Sequence, residues 1–173
     1  MEEEVKEQIW KIFMIASFLF VTIFFILPYL VQISTFFHER AHQKALDKYG
    51  IENSYKVNLL ETIHNFYNPN VQKLGVTRFD LNKYEQLDKY KKAEVNIAGI
   101  VSDLRFLFLI GIYLSFVNIY LFYKIRFKKE YNVKWILAID WVLFMWLLAL
   151  IQITVANITY SSGDVYQLVR FIP

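Results

Sequence analysis

The chain has 173 residues, 56% hydrophobic, 18% aromatic and 20% charged, with five Gly, three Pro, no Cys and a formal net charge of +3. That length suits one domain, and the low Gly and Pro content excludes collagen-like and low-complexity classes. Without cysteine there is no disulfide framework, thiolate nucleophile, iron–sulfur cluster or Cys-type zinc site, so any metal must sit on His, Asp or Glu; a small net charge spread over an apolar chain argues against a nucleic-acid partner.

The apolar residues gather in three runs. The first, Ile12 to Phe37, is uncharged for 26 residues, enough to cross a ~30 Å hydrocarbon core at ~1.5 Å per helical residue. It exceeds the ~7–15 residues of a signal-peptide apolar region, and the preceding MEEEVKEQ is acidic, so it reads as a retained span. Pro28 lies inside it, where a kink is tolerable if neighbouring helices satisfy the freed carbonyl. A polar insertion follows, residues 43–92. It opens as a helix that carries on from the first span, with Gly50 in the residue after its C-terminus. Asn68-Pro69-Asn70 marks a turn, Val71 to Phe79 has the patchy alternation of a short strand, and Leu81 to Lys92 reads as a charged surface helix.

The second span covers about 94–123, with an uncharged stretch of 18 residues from Phe106 to Tyr123, and the third covers about 136–160, uncharged from Trp141 to Tyr160. Trp10, Tyr123 and Trp135 fall near the ends, as interfacial aromatics do. The expected fold is therefore an all-α membrane protein: one membrane-embedded domain, 1–173, with three transmembrane helices and a polar, partly β segment between the first two. Its expected place is the cell membrane, as a multi-pass protein in contact with the lipid bilayer.

The first span ends in His38-Glu39-Arg40-Ala41-His42, an HExxH on a helix. Four helical residues turn through about 400°, so both imidazoles lie on one face, one turn apart. They can grip one zinc ion while Glu39 reaches its water. With three His and ten Glu in the chain, a shuffled sequence would hold roughly 0.002 such motifs. The plain structural alternative is a polar end to a membrane helix facing the headgroups. Ionisable groups at the hydrocarbon margin, however, usually face a protein interior or a water-filled cavity and carry function there.

Two histidines need a third ligand. A three-span topology puts Asp103, near the start of span two, and Asp164, after span three, on the motif's side, and Asp140 on the other, about 30 Å away by helical rise. Asp164, in Ser161-Ser162-Gly163-Asp164, is the preferred ligand. Asp103 is the alternative, and its structural reading is an ion pair with Arg105.

The stretch HERAHQKALDKYGI resembles the HExGHxxxAxxxGV signature of the site-2 protease group of intramembrane zinc metallopeptidases, in their small zincin form. Gly50-Ile51 keeps the family's spacing. Ala98-Gly99-Ile100-Val101-Ser102-Asp103 is similar to its AGPxxN-like motif, and Gly163-Asp164 falls where the family has Asp-Gly. Departures are Ala41 for Gly, Leu46 for Ala, Ile100 for Pro and Asp103 for Asn. The resemblance implies a zinc metalloendopeptidase with Zn²⁺ on His38, His42 and Asp164. Glu39 would be its general base, and its substrate a membrane-associated polypeptide cut at or within the bilayer. Asn118 or Asn157 could hold the oxyanion, although an interhelical hydrogen bond is their structural reading. The basic loop Lys124 to Lys134 would be cytoplasmic by the positive-inside rule, putting the motif outside; the family implies the reverse.

Two other classes stay open. Glu39-x-x-His42 recurs as Glu61-x-x-His64, and paired ExxH motifs build di-iron oxidase sites, which would also want carboxylates such as Glu94 and Asp103. The third class is a non-catalytic three-pass membrane protein.

Overall fold

The computed structural model describes residues 2–58, 60, 64, 68, 75–128 and 133–159, apart from the side chains of residues 2 and 156–159. Asp164 and Glu61 lie outside the described residues, as do the side chain of Asn157 and positions 69–74 of the expected turn and strand.

A single helical rod forms from the first apolar run: α1 (Glu2–Val21), a π-helical turn (Thr22–Ile26) and α2 (Leu27–Lys48). The π turn lies directly before Pro28, near the N-terminus of α2. Pro28 has no N–H to return to the turn before it, and the wider turn absorbs that loss without breaking the rod. Farther along, the buried Ser34 and Thr35 hydroxyls donate to the Val31 carbonyl at 2.8 and 2.9 Å, which lets polar residues sit inside an apolar helix.

The end of α2 follows from Gly50, at φ 66°. Its N–H donates to the Asp47 carbonyl and that of Ile51 to the Leu46 carbonyl, while Ile51 and Leu46 share one buried cluster. That is a Schellman cap with its apolar contact, as the Gly at this position predicts.

Beyond it, β1 (Asn53–Lys56) pairs antiparallel with β2 (Val76–Phe79), Asn53 opposite Phe79 and Lys56 opposite Val76. The expected strand is present over its described part. Its partner β1 has no counterpart among the expected elements, because NSYK offers little alternation to read. The single helix expected over Leu81 to Lys92 is instead the short α3 (Leu81–Glu85) followed by a break. The long α4 (Lys89–Arg126) then begins. Two aspartates make the division: Asp80 accepts from the N–H groups of Asn82 and Lys83, and Asp88 from those of Tyr90 and Lys91. Each caps a new helix start. The last element, α5 (Lys134–Thr159), begins two residues before the expected span.

Among the described residues three helical segments are long and apolar enough to cross a membrane, with mean hydropathies of 2.4, 2.0 and 2.3 over their most apolar stretches. Three small cores among the described residues join them. Ala45, Leu46, Ile51, Tyr84 and Val95 close the motif end of α2 over α3 and the start of α4. Leu27 and Val31 pack on Ala149 of α5, and Ile110 and Leu114 of α4 on Leu150. The first of these cores brings the start of α4 against the HExxH face.

Candidate metal centre

His38, Glu39 and His42 lie in the last three turns of α2, and residues 95, 99 and 103 of α4 cross them. These three α4 positions are spaced by four, so they form one stripe, and all three are buried. Each contributes differently.

Val95 offers its carbonyl, 2.8 Å from His42 Nδ1. A carbonyl can only accept, so this nitrogen carries the hydrogen and Nε2 carries the lone pair of the neutral ring. Asp103, only 4% exposed, places Oδ2 2.9 Å from His38 Nδ1, and a carboxylate fixes the same tautomer there. The two Nε2 atoms then face each other at 3.1 Å. Lone pairs this close repel unless a cation lies between them: a shared proton on an imidazolium, or a metal ion taking both. Metal-ligating histidines almost always spend their other ring nitrogen on a carboxylate or carbonyl, as both do here.

Gly99 supplies the room. A Cβ built on it would fall 2.4 Å from His42 Nε2 and 2.5 Å from His38 Nε2, in the space both nitrogens address. Any side chain would fill that space, and glycine leaves it open. The donor set, two neutral imidazoles on a helix, suits zinc. Among the described residues no group of three or more His, Asp or Glu converges on one point, so they offer two nitrogen donors and no third.

Glu39 is 7% exposed and meets the hairpin at β2. Its Oε2 accepts from the Thr77 hydroxyl at 2.5 Å. Gly75 lies so close that a Cβ there would meet Glu39 Cγ and Oε1 at 2.8 Å. Thus α2 carries the motif, α4 orients the imidazoles, and the hairpin covers the glutamate.

Several sequence expectations change at this point. Asp103 does not pair with Arg105: the two positions point about 200° apart on α4, leaving Arg105 exposed and Asp103 inward on His38. Nor does Asp103 join the histidines as a ligand, because it engages the ring nitrogen remote from their meeting point. Glu94, considered for a di-iron cluster, turns to the surface, 2.6 Å from Lys48 Nζ and hydrogen-bonded to the Tyr49 hydroxyl. His64 is exposed. Asn118 bonds across to Asp140 at 2.9 Å, toward the far end of α4, which is the interhelical role of its structural reading. Val95 and Thr77 carry no mark in the sequence, and Gly99 is visible there only as part of the Ala98-Gly99 pair. A backbone carbonyl and an absent side chain leave no chemical signature at the level of residue type.

Comparison of the chain with protein-family models, characterised proteins and solved structures finds no match.

Proposed function

We propose that this protein is a zinc-dependent peptidase of the membrane, similar in plan to the site-2 protease group, which hydrolyses peptide bonds of membrane-associated polypeptides at the bilayer margin. The observation that carries the reading is the pair of imidazole nitrogens 3.1 Å apart, each with its other nitrogen engaged, beneath a glycine whose missing side chain leaves the space between them open. The membrane part rests on the three apolar helices, whose most apolar windows are only 22%, 17% and 11% buried. So much outward apolar surface calls for a hydrocarbon solvent.

His38 and His42 would hold the ion, with Asp164 the proposed third ligand. Bound zinc would supply Lewis acidity and lower the pKa of a coordinated water toward ~7. Asp103 and the Val95 carbonyl keep both rings in the ligating tautomer and in place. Glu39 takes a proton from the attacking water and returns it to the leaving amine, as a general base and then a general acid. The buried setting of Glu39 and Asp103 keeps bulk water away from these transfers.

The test uses purified full-length protein in lipid vesicles with a library of single-span hydrophobic peptides. Metal analysis should find one zinc per chain, lost in His38→Ala. Mass spectrometry should find new peptide termini with the wild type and none with Glu39→Gln, whose zinc content stays unchanged. A Glu39→Gln protein that still cuts, or a wild type that binds no zinc, removes the proposal; two irons per chain would favour the oxidase alternative.

A further inference from the structure

Thr77 is on β2, some forty residues from the motif in sequence, and nothing in its neighbourhood marks it as functional. Yet its hydroxyl donates to Glu39 Oε2 at 2.5 Å, in a part-buried contact. The approach depends on Gly75, two residues earlier: a Cβ there would meet Glu39 Cγ and Oε1 at 2.8 Å and Thr35 Cγ2 at 2.9 Å. The strand can therefore lie flat on the side of α2 that carries Thr35 and Glu39. Thr35 is itself tied to its own helix through the Val31 carbonyl.

A buried carboxylate needs a donor, and a Glu side chain with three rotatable bonds needs something to fix its direction. One hydrogen bond from a strand does both. We propose that Thr77 is the positioning residue of Glu39, setting the direction of the carboxylate from the β-hairpin while α4 sets the direction of the imidazoles. This rests on the peptidase reading for its functional consequence, whereas the contact itself does not.

Two conservative substitutions separate positioning from packing. Thr77→Val keeps the branched shape and strand preference but removes the hydroxyl. Thr77→Ser keeps the hydroxyl and loses the methyl. In the zinc-loaded protein, Thr77→Val should lower kcat between about ten- and a hundred-fold, the range for a hydrogen bond to a charged group. KM and zinc content should stay unchanged, and Thr77→Ser should restore most of the rate. A thermal-unfolding cycle on metal-free protein compares Thr77→Val, Glu39→Met and the double variant. Thr77→Val should lower Tm in the wild-type background and leave it unchanged in the Glu39→Met background, where no carboxylate remains to accept the bond. A Thr77→Val protein with wild-type kcat, or Thr77→Ser as damaging as Thr77→Val, overturns the proposal. If the wild type binds no zinc or cuts nothing, the peptidase reading fails instead. The unfolding cycle then decides alone: strict additivity of the two substitutions sinks the positioning role, and coupling upholds it.

Discussion

At Gly99 the difference between hydrogen and a methyl group decides whether the space between two imidazoles stays open. A Cβ there would stand 2.4 Å from His42 Nε2, closer than any non-bonded contact allows, so one ring or the helix must move. Gly99→Ala should therefore abolish stoichiometric zinc binding. Asp103→Asn should weaken it by about 10–100-fold, as loss of an outer hydrogen-bonding partner commonly does. Competitive titration against a fluorescent zinc chelator would check both. Unchanged affinity in Gly99→Ala would mean that the ion, if any, lies elsewhere. The HExxH itself is legible in the sequence because helical geometry converts its spacing into a shared face. The partners of its rings are not, since they come from residues 53 and 65 positions away.

Among the elements, α4 does the most to assemble the site, and its start depends on one cap. Asp88 is exposed, and the backbone N–H of Lys91, with the Lys91 side chain, holds its carboxyl below the usual carboxylate range. A depressed folded-state pKa means the cap contributes above the ordinary carboxylate pKa and its contribution is lost as pH falls through the lower folded value. Asp88→Ala should accordingly speed amide exchange at Tyr90 and Lys91 near neutral pH. Wild type and variant should converge only in strong acid. Equal exchange at neutral pH would show that the cap is unimportant there. The end of α2 is readable from Gly50, because a left-handed residue closes a helix in this way and glycine adopts that conformation without strain. The division of Leu81 to Lys92 into α3 and α4 is not readable in the same way, although Asp80 and Asp88 are both in the sequence. Charged residues throughout this stretch suit one exposed helix as well as two capped ones.

For the whole molecule, three helices that each cross the bilayer would put the β-hairpin and the α4–α5 connection on opposite sides of it. The chain has no cysteine, so single cysteines can report this directly. With Lys56→Cys and Lys128→Cys in sealed vesicles of one orientation, a membrane-impermeant maleimide should label one variant and not the other. Labelling of both from the same side would refute the three-span arrangement. The same experiment assigns the side of the His38–His42 pair, on which the basic loop and the family resemblance disagree.

By itself the sequence determined the three apolar helices and the presence of an HExxH on the first, because hydropathy and helical periodicity act over neighbouring residues. Only the tertiary structure decided that Asp103 serves His38 rather than Arg105, that Gly99 leaves space between the imidazoles, and that Thr77 reaches Glu39. Those pairings depend on how α4 and β2 cross α2, and a crossing is set by packing between segments far apart in the chain, which no local pattern encodes.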